Sequence, residues 1–212
     1  MAWAQGEHCL ILGSTGTGKT ELLEKLCLTR KFVILFHVKQ DTLAWRSFKR
    51  IKTAAEMDSA RPNADGSIRL LLHPVGASRA AEFRKAIDKA YQQGGWTVAF
   101  DELYEMVLLG LEDVLIRIYS EGRSEYVTCI GGTQRPSFIT SKGLTRWALS
   151  QPTHHFMFQV RDGRDLKKVE EIYSSKTIAR LLLDLPRFKA RYLNAVTGKQ
   201  GIVDIKTFQE VL

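Results

Sequence analysis

The sequence reads as an α/β domain in which a mainly parallel sheet is flanked by helices. Three observations predict this. Short β-rich apolar runs alternate with longer helical stretches along most of the 212 residues. The runs are continuous rather than alternating, as in strands buried on both faces. The first run opens directly into Gly13 to Thr20, GSTGTGKT, which fits G-x-x-x-x-G-K-[ST] in strand, glycine loop, helix order.

Each element follows from its own residues. Cys9 to Leu12 is a buried strand and Glu21 to Leu28 a helix. Phe32 to Val38 is a second buried strand, and Thr42 to Met57 has an amphipathic, helix-like pattern. Arg61 to Gly66 is a turn-rich loop before a strand at Ile68 to Leu72. Ser78 to Gln93 is a helix with Ser78 as its N-cap and Gly94-Gly95 as its stop. Trp96 to Phe100 is a strand, and a helix runs from about Leu103 to Tyr119. Strands at Tyr126 to Ile130 and Thr153 to Val160 and a helix at Asp165 to Tyr173 follow. Ala190 to Ile205 reads as a β-hairpin turning near Thr197-Gly198-Lys199. With no repeat, low-complexity tract or linker, residues 1–212 are expected to form one domain, with a core over 6–180 and a hairpin extension over 186–206.

Composition narrows the function. A 44% hydrophobic and 25% charged chain is that of a globular protein with a sizeable core. No stretch reaches the ~18 apolar residues of a membrane helix, and no signal-peptide core opens the chain. The three cysteines, Cys9, Cys27 and Cys129, lack metal-ligand spacing and sit in apolar runs, so buried free thiols in a reducing compartment are expected. A cytoplasmic protein without a membrane segment of its own is the reading. The net charge of +8 suits a polyanionic partner, nucleic acid above all, as well as a solvated basic surface.

Gly13, Ser14, Thr15, Gly16, Thr17, Gly18, Lys19 and Thr20 form the phosphate-binding candidate. Glycines let backbone N–H groups converge on phosphates beside a positive helix N-terminus. Lys19 reaches the β- and γ-phosphates, and the Thr20 hydroxyl binds Mg²⁺. ATP and Mg²⁺ are therefore the expected cofactors. WTVAFDE, Trp96 to Glu102, ends a buried strand in two carboxylates at the edge where ligands bind parallel sheets. This is the Walker B pattern, with Asp101 toward Mg²⁺ and Glu102 as general base for an attacking water. In YVTCIGGTQRPS, Tyr126 to Ser137, Gln134 is either a water-positioning amide or a polar loop residue without a role.

Together, the P-loop, the strand ending in Asp101-Glu102 and the later strand ending in Thr133-Gln134-Arg135-Pro136-Ser137 resemble the FtsK–HerA superfamily of ring-shaped DNA-pumping ATPases. The resemblance runs from about Gly6 to Ile205 and implies a RecA-like P-loop domain. Tyr119 to Arg123 sits where that superfamily tends to place an arginine before the sensor strand. A finger reaching a neighbour's γ-phosphate is thus assigned to Arg123, ahead of Arg117, Arg135 and the pair Arg161/Arg164. Membrane helices, a winged-helix reader and an added barrel, found in other branches, are missing. A bare motor of this length looks most like the genome-packaging ATPases of membrane-containing double-stranded DNA viruses. That implies double-stranded DNA, a homo-oligomeric ring (pentamer or hexamer), a viral portal or capsid vertex as partner, and a virion-associated location.

Two rival classes stand beside it. Arg161-Asp162-Gly163-Arg164-Asp165 resembles the phosphate-covering lid of small-molecule P-loop kinases, which need neither Glu102 nor Gln134. A nucleotide-gated assembly protein that hydrolyses slowly needs no strong base at Glu102. The basic clusters Arg46, Lys49, Arg50, Lys52 and Arg187, Lys189, Arg191 read first as solvated faces and second as DNA grips. His154 and His155 read as structural histidines, and Trp3, Trp45, Trp96 and Trp147 as core or interface anchors.

Overall fold

A computed structural model describes residues 3–38, 45–141 and 146–211. The parallel strands β1 (Cys9–Leu12), β2 (Phe32–Phe36), β3 (Lys49–Ile51), β4 (Ile68–Leu72), β5 (Thr97–Phe100), β6 (Thr128–Thr133) and β7 (His154–Met157) make most of the sheet. Antiparallel β8 (Lys189–Asn194), β9 (Gln200–Asp204) and β10 (Gln209–Val211) complete ten strands in the order β10-β9-β8-β7-β1-β6-β5-β2-β4-β3. The α/β class and the hairpin are as expected. The third antiparallel strand, β10, was not legible.

Helices cover both faces: α1 (Lys19–Leu28), α2 (Arg79–Gln93), α3 (Leu103–Leu108), α4 (Glu112–Glu121), α5 (Pro136–Ser141), α6 (Arg146–Ser150), α7 (Gly163–Tyr173) and α8 (Lys176–Leu183). The two-residue period of β1 divides the core. Leu10 and Leu12 face one apolar layer with Phe36, Phe83 and Phe100, while Cys9 and Ile11 face the other with Leu22, Leu26 and Phe156. All three cysteines are buried and free.

Several expected elements differ. From Trp45 onward, the segment expected to be helical over Thr42 to Met57 forms a short turn, β3, and a 3₁₀ turn over Ala54–Met57; residues 42–44 lie outside the described residues. Trp45, Phe48, Ile51, Ala54 and Met57 are all buried, every third residue. On an α-helix that spacing slips by about 60° per step, so no single face would hold them. An edge strand and a 3₁₀ turn bury the same five side chains.

The helix expected over Leu103 to Tyr119 is broken into α3 and α4 at Gly110, whose φ is +69°. Ser78 precedes α2 but its side chain does not cap it, because a 3₁₀ turn over Gly76–Ser78 leads in. The strand expected over Thr153 to Val160 is shorter, and α8 was not foreseen. Trp45 and Trp96 are core residues and Trp3 stacks on His154, whereas the side chain of Trp147 lies outside the described residues. His154 contacts Tyr192 Oη at 2.9 Å and Glu7 at 3.1 Å, and His155 contacts Tyr173 Oη at 2.7 Å, the structural roles expected of them. Among the described residues no helix is long and apolar enough to cross a membrane.

Candidate functional site

Three adjacent strands, β1, β6 and β5, end at the same sheet edge and carry the predicted site residues on their next positions. Leu12 of β1 leads into Gly13, Thr133 of β6 into Gln134, and Phe100 of β5 into Asp101. The sequence separations are large, but parallel pairing sets the three turns side by side. Gln134 is central because β6 lies between the other two.

The loop from Gly13 to Gly18 owes its shape to glycine. Gly13, Gly16 and Gly18 have φ of +152°, +77° and +115°. A Cβ at Gly13 would stand 2.5 Å from Phe158 Cβ, so the loop packs directly against the chain leaving β7. Gly18 N-caps α1 without any side-chain cap, which leaves first-turn N–H groups for an anion. Lys19 is buried, and its Nζ donates to the Ser14 carbonyl at 2.8 Å, folded across its own loop.

Thr20 Oγ1 donates to Asp101 Oδ1 at 2.9 Å, which sets two hard oxygen atoms side by side. Among the described residues no group of three or more His, Cys, Asp or Glu side chains could hold a metal alone. The pair suits Mg²⁺, which takes one or two protein oxygens and completes its shell with water and substrate phosphate. Glu102 is buried and N-caps α3, accepting from Tyr104 N–H at 3.4 Å. Both of its carboxylate oxygens also accept the Gln134 N–H at 3.2 Å. Thr15 Oγ1 in turn donates to Gln134 Oε1 at 2.6 Å. The P-loop, the Walker B acids and the glutamine thus form one continuous set of contacts.

The paired glycines of β6 make this closeness possible. A Cβ at Gly132 would lie 2.6 Å from the Asp101 carbonyl oxygen, and one at Gly131 would lie 2.6 Å from Tyr119 Oη. Small residues in a central strand mark close approach by neighbouring backbone, and here that neighbour is the start of the acid pair.

The arginines separate. Arg123 is exposed at the opposite sheet edge, beside Gly6 at the entry to β1, and cannot reach the P-loop of its own chain. Its guanidinium has no hydrogen-bond or ion-pair partner among the described residues. Arg117 is committed: it lies over the Tyr91 ring at 4.3 Å and pairs with Asp88 at 3.1 Å. Arg135, Arg161 and Arg164 gather beside the P-loop. Of the basic clusters, Arg46, Lys49, Arg50 and Lys52 are all exposed, on the edge strand β3 or beside it in sequence.

Sequence reasoning missed the part played by Arg187 and Phe188. Arg187 Nε donates to Gly16 O at 2.9 Å, and Phe188 N–H donates to Thr17 O at 3.0 Å, so the two residues leading into β8 brace the loop from outside. The only signal was position, a basic–aromatic pair after Pro186 at the foot of the hairpin. His37 is buried just past the end of β2, whose register with β5 sets it beside Asp101.

No family model and no curated protein sequence matches the chain. Solved structures do. The genome-packaging NTPase B204 from Sulfolobus turreted icosahedral virus 2, in complex with sulfate, superposes with a TM-score of 0.71 at 14% identity, covering 99% of both chains. The same protein in complex with AMPPCP gives 0.69 at 14% identity over 98% of this chain and all of that one. VirB4 of Thermoanaerobacter pseudethanolicus gives 0.65 at 10% identity over 91% of this chain and 87% of that one. These likenesses establish the fold, a RecA-like P-loop fold with a mainly parallel sheet.

Proposed function

We propose that this chain is a Mg²⁺-dependent ATPase of the FtsK–HerA type that drives double-stranded DNA as a homo-oligomeric ring, a viral genome-packaging motor. The observation that carries the reading is the order β1-β6-β5, which places Gln134 between the P-loop and the Asp101-Glu102 pair. The full-length likeness to B204, described as a genome-packaging NTPase, supports the narrower reading.

In this mechanism the loop N–H groups and Lys19 hold the β- and γ-phosphates, and Thr20 and Asp101 hold the metal. Mg²⁺, when bound, neutralises developing phosphate charge. Glu102 accepts a proton from a water whose oxygen bonds to the γ-phosphorus as the β–γ bridging oxygen leaves with the diphosphate. Gln134 orients that water and senses the γ-phosphate. Arg123, exposed on the far edge, acts only on a neighbour's nucleotide, which calls for a ring of subunits. The exposed residues Arg46, Lys49, Arg50 and Lys52 offer cations to DNA phosphates. A portal or capsid vertex is the partner such a motor docks on, in the cytoplasm or on the virion.

A kinase reading fits less well, because Glu102 and Gln134 would then have no work. The test is the ATPase rate with and without duplex DNA, beside a solution mass measurement. Stimulation by DNA of any sequence, with binding that weakens about 10³-fold or more from 50 to 200 mM salt for six or more phosphate contacts, is expected. A monomer with a DNA-independent rate would overturn the translocase reading.

A further inference from the structure

A cleft of about 380 Å³ opens beside the P-loop, lined by Ser14, Thr15, Gln134, Arg135, Arg161 and Arg164 among others. It adjoins the Gln134 side of the P-loop, and neither Lys19 nor Thr20 is among its lining residues. Its rim is tied to the loop. Ser14 N–H donates to Gln159 O at 2.8 Å, Arg161 N–H donates to Ser14 Oγ at 3.2 Å, and Arg161 Nε donates to Gln159 Oε1 at 3.1 Å.

Two carboxylates also line the cleft, and both are turned to other work. Asp162 Oδ1 accepts from the N–H groups of Arg164 and Asp165 at 2.8 and 3.2 Å. Asp165 Oδ1 accepts from Ser137 N–H and Oγ at 3.1 and 2.5 Å. The Asp165 and Arg164 N–H groups, then the nearby Arg164 and Arg135 guanidiniums, hold the Asp162 carboxyl below its usual range. Three arginines therefore line a space in which each acid already has one oxygen, Oδ1, held by hydrogen bonds. Planar guanidiniums match tetrahedral oxyanions two oxygens at a time.

We propose that this cleft is a second oxyanion subsite, contiguous with the nucleotide site, which receives inorganic phosphate after it is cut from the nucleotide. Arg135, Arg161 and Arg164 are its ligands. The inference rests on the hydrolytic reading above for the source of its phosphate, but binding in the cleft is independent of it. Product phosphate leaves past Gln134 and Thr15, while the diphosphate stays on Lys19 and Thr20. The Thr15–Gln134 hydrogen bond stands between the two compartments.

The test is equilibrium dialysis of labelled inorganic phosphate against the full chain, with and without saturating ADP and Mg²⁺. Phosphate should bind alongside ADP. Arg161→Ala/Arg164→Ala should weaken phosphate at least about tenfold, the loss of one charge-assisted hydrogen bond, with ADP affinity unchanged. Arg161→Lys/Arg164→Lys should fall between, since charge remains and the fork is lost. Phosphate that competes with ADP for one site, or binds the alanine double variant as tightly, overturns the subsite. Lys19→Ala separates the two claims. If it leaves ADP binding intact while the double variant still loses phosphate, the nucleotide reading fails and the cleft stands.

Discussion

Glu102 holds the backbone N–H of Gln134 on both carboxylate oxygens at 3.2 Å, so the proposed base and the proposed sensor are joined through main chain. A side-chain change at Gln134 leaves that bond in place and removes only the contact with Thr15. Gln134→Ala therefore tests the amide alone. Turnover should drop by about 10²-fold, the cost of a misplaced nucleophile, with ATP affinity kept. Glu102→Gln should also keep ATP and lose about 10²–10⁴-fold in turnover as general base. Lys19→Ala should lose ATP itself, because it acts on the ground state. Steady-state kinetics beside nucleotide titration checks all three, and equal affinity loss in each would refute the assignments.

Gly132→Ala should be among the most damaging single-methyl additions in the chain. The new Cβ would meet the Asp101 carbonyl oxygen at 2.6 Å, a backbone atom that cannot rotate away. Strand β6 or the Asp101-Glu102 turn must shift, at a cost of about 1–3 kcal/mol for overpacking. Chemical denaturation should show that loss, and activity should fall further than stability explains. A variant with native stability and full activity would show that the two strands do not close on each other as described.

Stability should fall on mild acidification. Burial, with the Arg123 charge adding to it, lowers His8 from 6.5 to about 4. Burial, with His154 adding to it, does the same to His155. His8 Nδ1 accepts the Cys129 N–H at 3.0 Å, so its neutral form is the one the fold uses. Both pKa values are depressed in the folded state. The stabilisation is complete above about pH 6.5 and is lost as pH falls toward 4, where only the unfolded chain takes up protons. Each histidine contributes about 3 kcal/mol at neutral pH by this linkage. Denaturant midpoints at pH 7 and pH 5 measure it, and His8→Gln should flatten part of the slope. A midpoint independent of pH over that range would refute the argument.

Arg123→Ala should bind nucleotide normally, since the residue lies on the sheet edge opposite its own P-loop. As a pure assembly it should hydrolyse orders of magnitude more slowly, as loss of an arginine finger does. Mixing it with Glu102→Gln subunits should restore part of the rate, because some interfaces then join an intact arginine to an intact glutamate. ATPase assays over several mixing ratios check this, and full activity of pure Arg123→Ala would remove the residue from the mechanism.

Local chemistry determined much of this protein from its sequence. The P-loop residues Gly13 to Thr20 declare themselves because only glycine supports the loop's positive φ angles and because lysine and threonine follow at a set spacing. Strands β1, β2, β4 and β5 were legible because strands buried on both faces leave continuous apolar runs. The segment from Trp45 to Met57 was not, since its three-residue spacing serves an edge strand and a 3₁₀ turn as well as it imitates a helix. Tertiary structure alone decided that β6 lies between β1 and β5, because strand order is set by which chain segments pair and no local pattern records it. It alone made Gln134 the neighbour of both Thr15 and Glu102. It alone sent Arg123 to the far edge and gathered Arg135, Arg161 and Arg164 around one cleft, since residues distant in sequence meet only where strands and helices end together.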